Sequence, residues 1–323
     1  MTGTRIKWTN RGRPTVAAVG LCAGALLLAC STNDTTGAGG SGGTSGGGGQ
    51  GGSAGTTATG GAGQGGAPVF HPGVLVDDGL VARYYLDEAA SGQDPTEVLD
   101  AAPEPLPLPL TYVNIGVDEN MTYTEDSAGN RGLAFVAAGH DDRASVAIDG
   151  TKILASLHGG HTATYEVVAN VLGVSSSISR LSHIGIESGH NLSLEANSLT
   201  RVLVSMNEHG VGGVPVDLPN IGRVVIHAVI DTSQTEPADR VRTYVNGGKL
   251  PIVVGTPPLL NEAIDLGLGR HYVIGNREIG ERTIAGAIYY SAIYSTALTD
   301  EQVLQNVALL LVDDDTPTDD APP

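Results

Sequence analysis

Nine histidines and 35 acidic residues give this 323-residue chain the raw material for metal binding or acid–base chemistry, so their spacing matters first. His158-Gly159-Gly160-His161 pairs two imidazoles at short range. A zinc site needs three or four converging ligands and a supporting shell. A Gly-Gly spacer has no helix to align the rings, so this stretch reads as a polar loop. His140-Asp141-Asp142 sets two carboxylates beside an imidazole. Calcium takes six to eight hard oxygen ligands, backbone carbonyls included. Asp141, Asp142 and Asp231 all fall at the ends of expected strands, where carbonyls can join them. They are the candidate metal ligands, and calcium is the one cofactor the sequence offers. No loop has the dense alternating Asp spacing of a self-contained calcium site.

Glycoside hydrolysis needs two carboxyl groups, about 5–5.5 Å apart for retention and about 6.5–9.5 Å for inversion. Alternate positions on one strand deliver the shorter spacing, yet Glu-x-Asp occurs nowhere in the chain. Glu187, Glu195 and Glu208 read as isolated, solvated carboxylates. No catalytic residue is assigned, and the chain is expected not to be an enzyme. Gly39–Gly43 and Gly37–Gly42 imitate nucleophile-elbow and dinucleotide patterns, but they lack the strand and helix that give those patterns meaning.

The elements that would position these residues are short strands. Val, Ile and aromatic residues recur in 80–86, 132–136, 144–148, 163–171, 178–186, 192–195, 202–206, 223–230, 241–245, 264–268, 272–274 and 283–294. Gly, Asn, Asp and Pro punctuate the gaps, as in antiparallel sandwiches and barrels. Tyr244-Val245-Asn246-Gly247 predicts a tight hairpin, because Asn-Gly supplies two positive φ angles. Thr299 and Gln302 form a capping-box pair, and Val303, Leu304, Val307, Leu310 and Leu311 then share one helical face. Pro103, Pro105, Pro107 and Pro109 predict a rigid extended stretch.

The N-terminus sets the compartment. Arg5, Lys7, Arg11 and Arg13 precede an apolar run from Val16 to Ala29, too short to span a bilayer comfortably. The run closes in Leu27-Leu28-Ala29-Cys30, which resembles the lipobox of bacterial lipoproteins. That resemblance implies removal of residues 1–29, acylation of Cys30 and a lipid anchor outside the cytoplasm, at the cell envelope. From 30 to 67 the chain is almost all Gly, Ser, Thr, Ala and Gln, a flexible linker. Residues 313–323 form an acidic tail expected to be disordered. Without the leader's four basic residues, 13 of the 17 Lys and Arg face 35 Asp and Glu, a net charge of −22. So acidic a chain excludes nucleic acid as a partner and leaves the lipid as its only hold on a membrane. Cys22 leaves with the leader and Cys30 takes the lipid, so no thiol remains for a disulfide.

One resemblance covers most of 75–312. Arg242-Thr243-Tyr244-Val245-Asn246-Gly247 resembles a hairpin of laminin G/concanavalin A-like jelly-roll domains. Leu266-Gly267-Leu268-Gly269 with Ile274-Gly275-Asn276 resembles a later strand. Ile284–Ile288 and Ile293–Val303 are similar to the closing signature, and Gly79–Asp87 to the opening strand. The resemblance implies an all-β fold over 68–312, with two antiparallel sheets of about six or seven strands and a short C-terminal helix. It further implies a monomeric recognition module that binds a polysaccharide or glycoconjugate. The alternatives are an adhesion or structural domain that binds a cell-envelope or extracellular protein, and a glycoside hydrolase with an unrecognised carboxylate pair. The only tryptophan, Trp8, lies in the leader, so no indole is left to stack on a sugar ring.

Overall fold

The computed structural model describes residues 74–93, 96–111, 121–176, 178–186, 189–212, 216–252 and 257–317. Among these residues sixteen strands run in chain order: β1 (Leu80–Tyr84), β2 (Glu97–Val98), β3 (Leu108–Thr111), β4 (Met121–Glu125), β5 (Arg131–Phe135), β6 (Arg143–Ala147), β7 (Thr162–Gly173) and β8 (Ser179–Gly185), then β9 (Leu192–Ser198), β10 (Arg201–Met206), β11 (His209–Gly212), β12 (Arg223–Asp231), β13 (Val241–Val245), β14 (Gly248–Leu250), β15 (His271–Ile274) and β16 (Ala285–Tyr294). Among the described residues three α-helices join them: α1 (Lys152–Leu157), α2 (Leu218–Ile221) and α3 (Asp300–Leu310). Among the described residues no helix is long and apolar enough to cross a membrane.

The strands form two antiparallel sheets packed as a jelly-roll β-sandwich. The first has the order β14-β13-β12-β7-β16-β5-β4, and the second β11-β10-β9-β8-β15-β6-β3-β2. β16 is paired along its whole length by β7. Its other side is shared by β5 near the start and β1 near the end. Among the described residues each sheet therefore has eight strands, slightly more than the motifs imply. The strands not expected are β2, β3, β4, β11 and β14, each of two to five residues; β4 alternates, with Met121 and Tyr123 buried, whereas the others are too short or proline-interrupted to show a period. β3 is the instructive case: it starts inside the proline stretch, and Pro109 pairs only with Glu97 of the two-residue β2. A proline is tolerated where little ladder bonding is lost. Residues 264–268, expected as a strand, are irregular, although Ile264 and Leu266 are buried in the core.

The core lies between the sheets, filled from the first by Tyr165, Val167, Ile226 and Ala228 and from the second by Leu181, Ile184, Leu194 and Val204. A second apolar layer covers the outer face of the first sheet, where Val303, Val307 and Leu310 of α3 meet Val168, Val225, Tyr290 and Tyr294. The α3 capping box is formed as the sequence predicts. Gln302 N donates to Thr299 Oγ1 at 3.2 Å, and Thr299 N donates to Gln302 Oε1 at 2.8 Å. The helix face is narrower than predicted, since Leu304 and Leu311 are exposed. The Asn246-Gly247 hairpin is confirmed: Val245 pairs Gly248, and φ is 49° and 78° at the two turn residues.

Both ends of the described chain are stitched to this α3-covered side. Val76 N donates to Asn306 Oδ1, and Gln305 Nε2 donates to Val74 O. The start of the C-terminal acidic segment docks, in contrast to the disorder expected from Asp313. Asp314 is buried 2.6 Å from Arg223 Nη2, and Thr316 N donates to Asp87 Oδ2. Arg223 and Arg131 supply the counter-charge, with Arg131 Nε 3.5 Å from Asp315 Oδ2.

Candidate functional site

The second sheet's outer face carries a polar cluster set by strand register. Along β9, Leu192, Leu194 and Ala196 point into the core, so Ser193 and Glu195 point outward. β8 cannot follow the same alternation, because Arg180 and His183 are three residues apart. An irregularity between Arg180 and Ser182 absorbs the extra residue, so Arg180 pairs Glu195 and His183 pairs Ser193. Such a bulge re-aims side chains and brings both basic groups onto one face. On β10, Ser205 pairs Ser193 and joins them. All five residues are buried.

The contacts within the cluster are short. Arg180 Nη1 lies 2.5 Å from Glu195 Oε1, and His183 Nδ1 lies 2.6 Å from Ser193 Oγ. Arg180 Nη2 is 3.4 Å from His190 Nδ1. At the rim, His190 N donates to Glu208 Oε1 at 3.0 Å, and Arg277 Nη2 donates to Glu281 Oε2 at 2.6 Å. Asn276 organises this end of the sandwich. Its Oδ1 accepts from Arg277 N and Arg282 N, while its Nδ2 donates to His140 O and Asp142 O.

Electrostatics on this face are governed by burial. Loss of hydration pushes the Glu195 carboxyl up to about 6, against the opposing pull of Arg180 and the Ser205 hydroxyl. The same burial lowers Arg180, aided by the nearby charges of Arg282 and Arg277 and opposed by Glu195. Burial, then Arg180, His190 and Arg277, hold His183 well below the usual imidazole range, so it is neutral at pH 7. Arg180 Nε, His183 Nε2 and Glu195 Oε2 have no hydrogen-bond partner of good geometry. Leaving such buried groups unmet costs about 1–3 kcal/mol each, more where charge is involved, so the cluster is held at a cost to stability. Gly185 is required beside it: a Cβ there would lie 2.2 Å from Gly189 O and 2.5 Å from His183 Nε2.

The expectation that Glu195 is solvated is thus corrected, since a strand interior and a covering rim remove it from water. Glu208 is exposed, as expected, and Glu187 lies outside the described residues. Arg180, His183, Ser193 and Ser205 escaped sequence reasoning. The polar residues inside the apolar run 178–186 were the available signal, but the bulge that aligns them has no local signature.

The other predicted ligands are not brought together. Asp231 accepts from Ser233 N at 3.1 Å, Ser233 Oγ at 2.6 Å and Gln234 Nε2 at 2.5 Å, closing a local turn. It pairs Thr162 at the start of β7. Asp141 accepts from Glu281 N at 3.0 Å, and the chain from Glu281 leads to Ala285, which pairs Gly173 at the far end of β7. At about 3.3 Å per residue the separation is roughly 35 Å. Asp142 is buried near Asn276 on the Asp141 side. His158 Nδ1 accepts from Leu266 N, whereas His161 Nδ1 faces Thr232 Oγ1. Among the described residues no group of three or more His, Cys, Asp or Glu converges as a metal site. Cys30, the predicted acylation site, lies outside the described residues.

A second buried polar network, beneath α3, is arranged differently. Glu166 Oε2 accepts from Tyr294 Oη at 2.6 Å and Asn306 Nδ2 at 3.0 Å, and Arg83 Nε donates to Tyr290 Oη at 3.0 Å. A helix side chain completes this network, so it serves to hold α3 on the sheet.

Comparison with protein-family models and with curated proteins returns no match. Solved structures share the fold. The binding domain of botulinum neurotoxin DC, in complex with rat synaptotagmin II, superposes with a TM-score of 0.50 at 11% identity, over 73% of this chain and 52% of that one. The same toxin domain in complex with SialylT gives 0.47 at 9% identity, over 72% and 52%. Trypanosoma rangeli sialidase in complex with sialic acid gives 0.46 at 14% identity, over 73% and 34%. This chain spans about a third to a half of the length of these proteins. At such identities the likeness is one of fold.

Proposed function

We propose that this protein is a lipid-anchored, extracytoplasmic recognition module of the laminin G/concanavalin A-like kind, which binds a polysaccharide or glycoconjugate without cleaving it. The observation that carries the reading is the buried polar cluster of Arg180, His183, Ser193, Glu195 and Ser205 on the outer side of the second sheet. The first sheet's outer face is covered by α3, so this reading assigns the ligand to the side of the second sheet, at the rim of the partly exposed His190 and exposed Glu208 beside the buried cluster. Glu195 supports binding over hydrolysis. Its ion-pair partner on that face is Arg180, and its neighbour at alternate spacing is Ser193, so the strand supplies no second carboxyl for acid–base work.

Anchoring at Cys30 places the module at the cell envelope and follows from the leader. The test uses the full chain with and without Cys30→Ser. Wild type is expected in the membrane fraction and the variant in the soluble one. The detergent-solubilised protein is then passed over immobilised glucans, galactans and peptidoglycan, with reducing ends assayed in parallel. Retention without release supports the reading. Release above a heat-killed control would identify a hydrolase, and capture of an envelope protein with no glycan retained would identify an adhesion domain.

A further inference from the structure

We infer that, whatever ligand the domain takes, residues 313–316 form a proton-dependent clasp, closed on the sandwich while Asp314 carries a proton and loosened when it ionises. The clasp grips through a few groups. Asp314 Oδ2 lies 2.6 Å from Nη2 of Arg223, whose Nη1 and Nη2 also donate to Leu311 O and Leu310 O at the end of α3. Asp315 Oδ1 accepts from Arg131 N at 3.0 Å, and its Oδ2 lies 3.5 Å from Arg131 Nε. Thr316 donates twice to Asp87, from its N at 2.7 Å and from its Oγ1 at 3.0 Å. Two more groups face Arg223: Asp126 Oδ2, 3.9 Å from its Nε, and the Tyr289 ring, whose centroid is 5.7 Å from its Cζ.

Among the described residues, Asp87, Asp126, Asp314 and Asp315 thus share the guanidiniums of Arg131 and Arg223, and they are not equally provided for. Asp126 accepts from Ala128 N, Asn130 N and Asn130 Nδ2. Burial opposes its charge, but those bonds hold it below the usual carboxylate range. Asp87 accepts from Thr316 N, Thr316 Oγ1 and Arg131 Nη2. Burial lifts Asp315, which is only partly covered, and Arg131 pulls it back. Asp313 is exposed and accepts from Asp315 N. Asp314 is fully buried, and its guanidinium is also claimed by Asp126 and two carbonyls. Neither of its oxygens has a hydrogen bond of good geometry. A buried carboxylate served this poorly takes up a proton before its neighbours do. Burial carries Asp314 up to about 7, opposed by Arg223 and helped by Asp315 and Asp126. Released, it returns to the ordinary 3.8, so between 3.8 and about 7 the closed form binds one more proton than the open one. Opening therefore rises about tenfold per pH unit across that window and levels off above it.

The experiment is hydrogen–deuterium exchange of the detergent-solubilised full chain from about pH 5 to 8, corrected for the intrinsic pH dependence of amide exchange. It is read on the peptide spanning 311–317, with the hairpin peptide 241–250 as internal control. Wild type is expected to lose protection about tenfold per unit from pH 5 to 7 and to level off above, while the hairpin stays constant. Asp314→Asn, which keeps the side chain's size without its charge, is expected to give a flat profile. Thr316→Ala, the second variant should Asp314→Asn fail to fold, removes one bond to Asp87. It is expected to raise exchange about fivefold at every pH with the wild-type slope retained. A flat wild-type profile, the same rise in Asp314→Asn, or an equal rise in the hairpin would each overturn the clasp. So would exchange in Thr316→Ala indistinguishable from wild type.

Discussion

A carboxylate shut away from water, as Glu195 is, ionises only by giving up hydration that a single guanidinium does not fully replace. Its rise from the ordinary 4.5 to about 6 means that the folded protein favours the protonated form. The associated stability is fully present below about pH 4.5 and is lost as the pH climbs through about 6, roughly 2 kcal/mol in all. His183 acts in the opposite sense, because a depressed imidazole loses stability as the pH falls below its usual range. Comparison with Glu195→Gln isolates the first effect. Thermal melts should show wild type gaining on the variant as the pH falls from 7 to 4.5, and a constant difference would refute the assignment. The pair itself is open to a mutant cycle. Glu195→Leu alone should cost about 3–5 kcal/mol by stranding Arg180, and adding Arg180→Met should recover most of it. Denaturant midpoints with unchanged slope measure both, and purely additive losses would mean that the two residues are not coupled.

Elements differ in how openly the sequence declares them. The Asn246-Gly247 hairpin and the Thr299–Gln302 box could be read directly because each is a local solution: positive φ in one case, orphan N–H groups in the other. Thr299→Ala should therefore cost about 1 kcal/mol, while Thr299→Ser should be nearly silent; urea unfolding distinguishes them. β8 is the contrary case. Its alternation is interrupted by one residue, and only pairing with β9 decides on which side of the sheet Arg180 falls. The candidate site was thus invisible for the same reason that it exists. The short strands β2, β11 and β14 were missed because two to four residues held by neighbours leave no period to detect. Gly185, on the same strand, reports the closeness of the covering loop. Gly185→Ala should lose about 1–3 kcal/mol through overpacking against Gly189 and His183, and it should weaken glycan retention in parallel. A stable variant with intact retention would show that the loop has room to spare.

At the scale of the whole molecule, the alternating apolar runs made the sandwich legible, because a two-sheet core demands one buried face from every long strand. Tertiary placement of carboxylates was not legible. Asp141 and Asp231 look equivalent in sequence, yet β7 holds them at opposite ends of the domain. Millimolar calcium is accordingly expected to leave the melting temperature unchanged relative to a chelator. A clear rise would mean that backbone carbonyls complete a site around Asp141 and Asp142 alone.

The stitching of residues 74–77 to α3 and β1 has a mechanical meaning. A chain pulled at its N-terminal end does not meet a bare strand. Tension entering at Val74 reaches Gln305, then Asn306 through Val76, and then Arg83 through Asp77, before any rung between β1 and β16 is strained. These bonds run to a helix and a buried guanidinium, so the pull is divided between two elements instead of peeling one edge. For a domain held in flow by one end of its chain, the first event under force would be the parting of a few side-chain hydrogen bonds, with both sheets still closed.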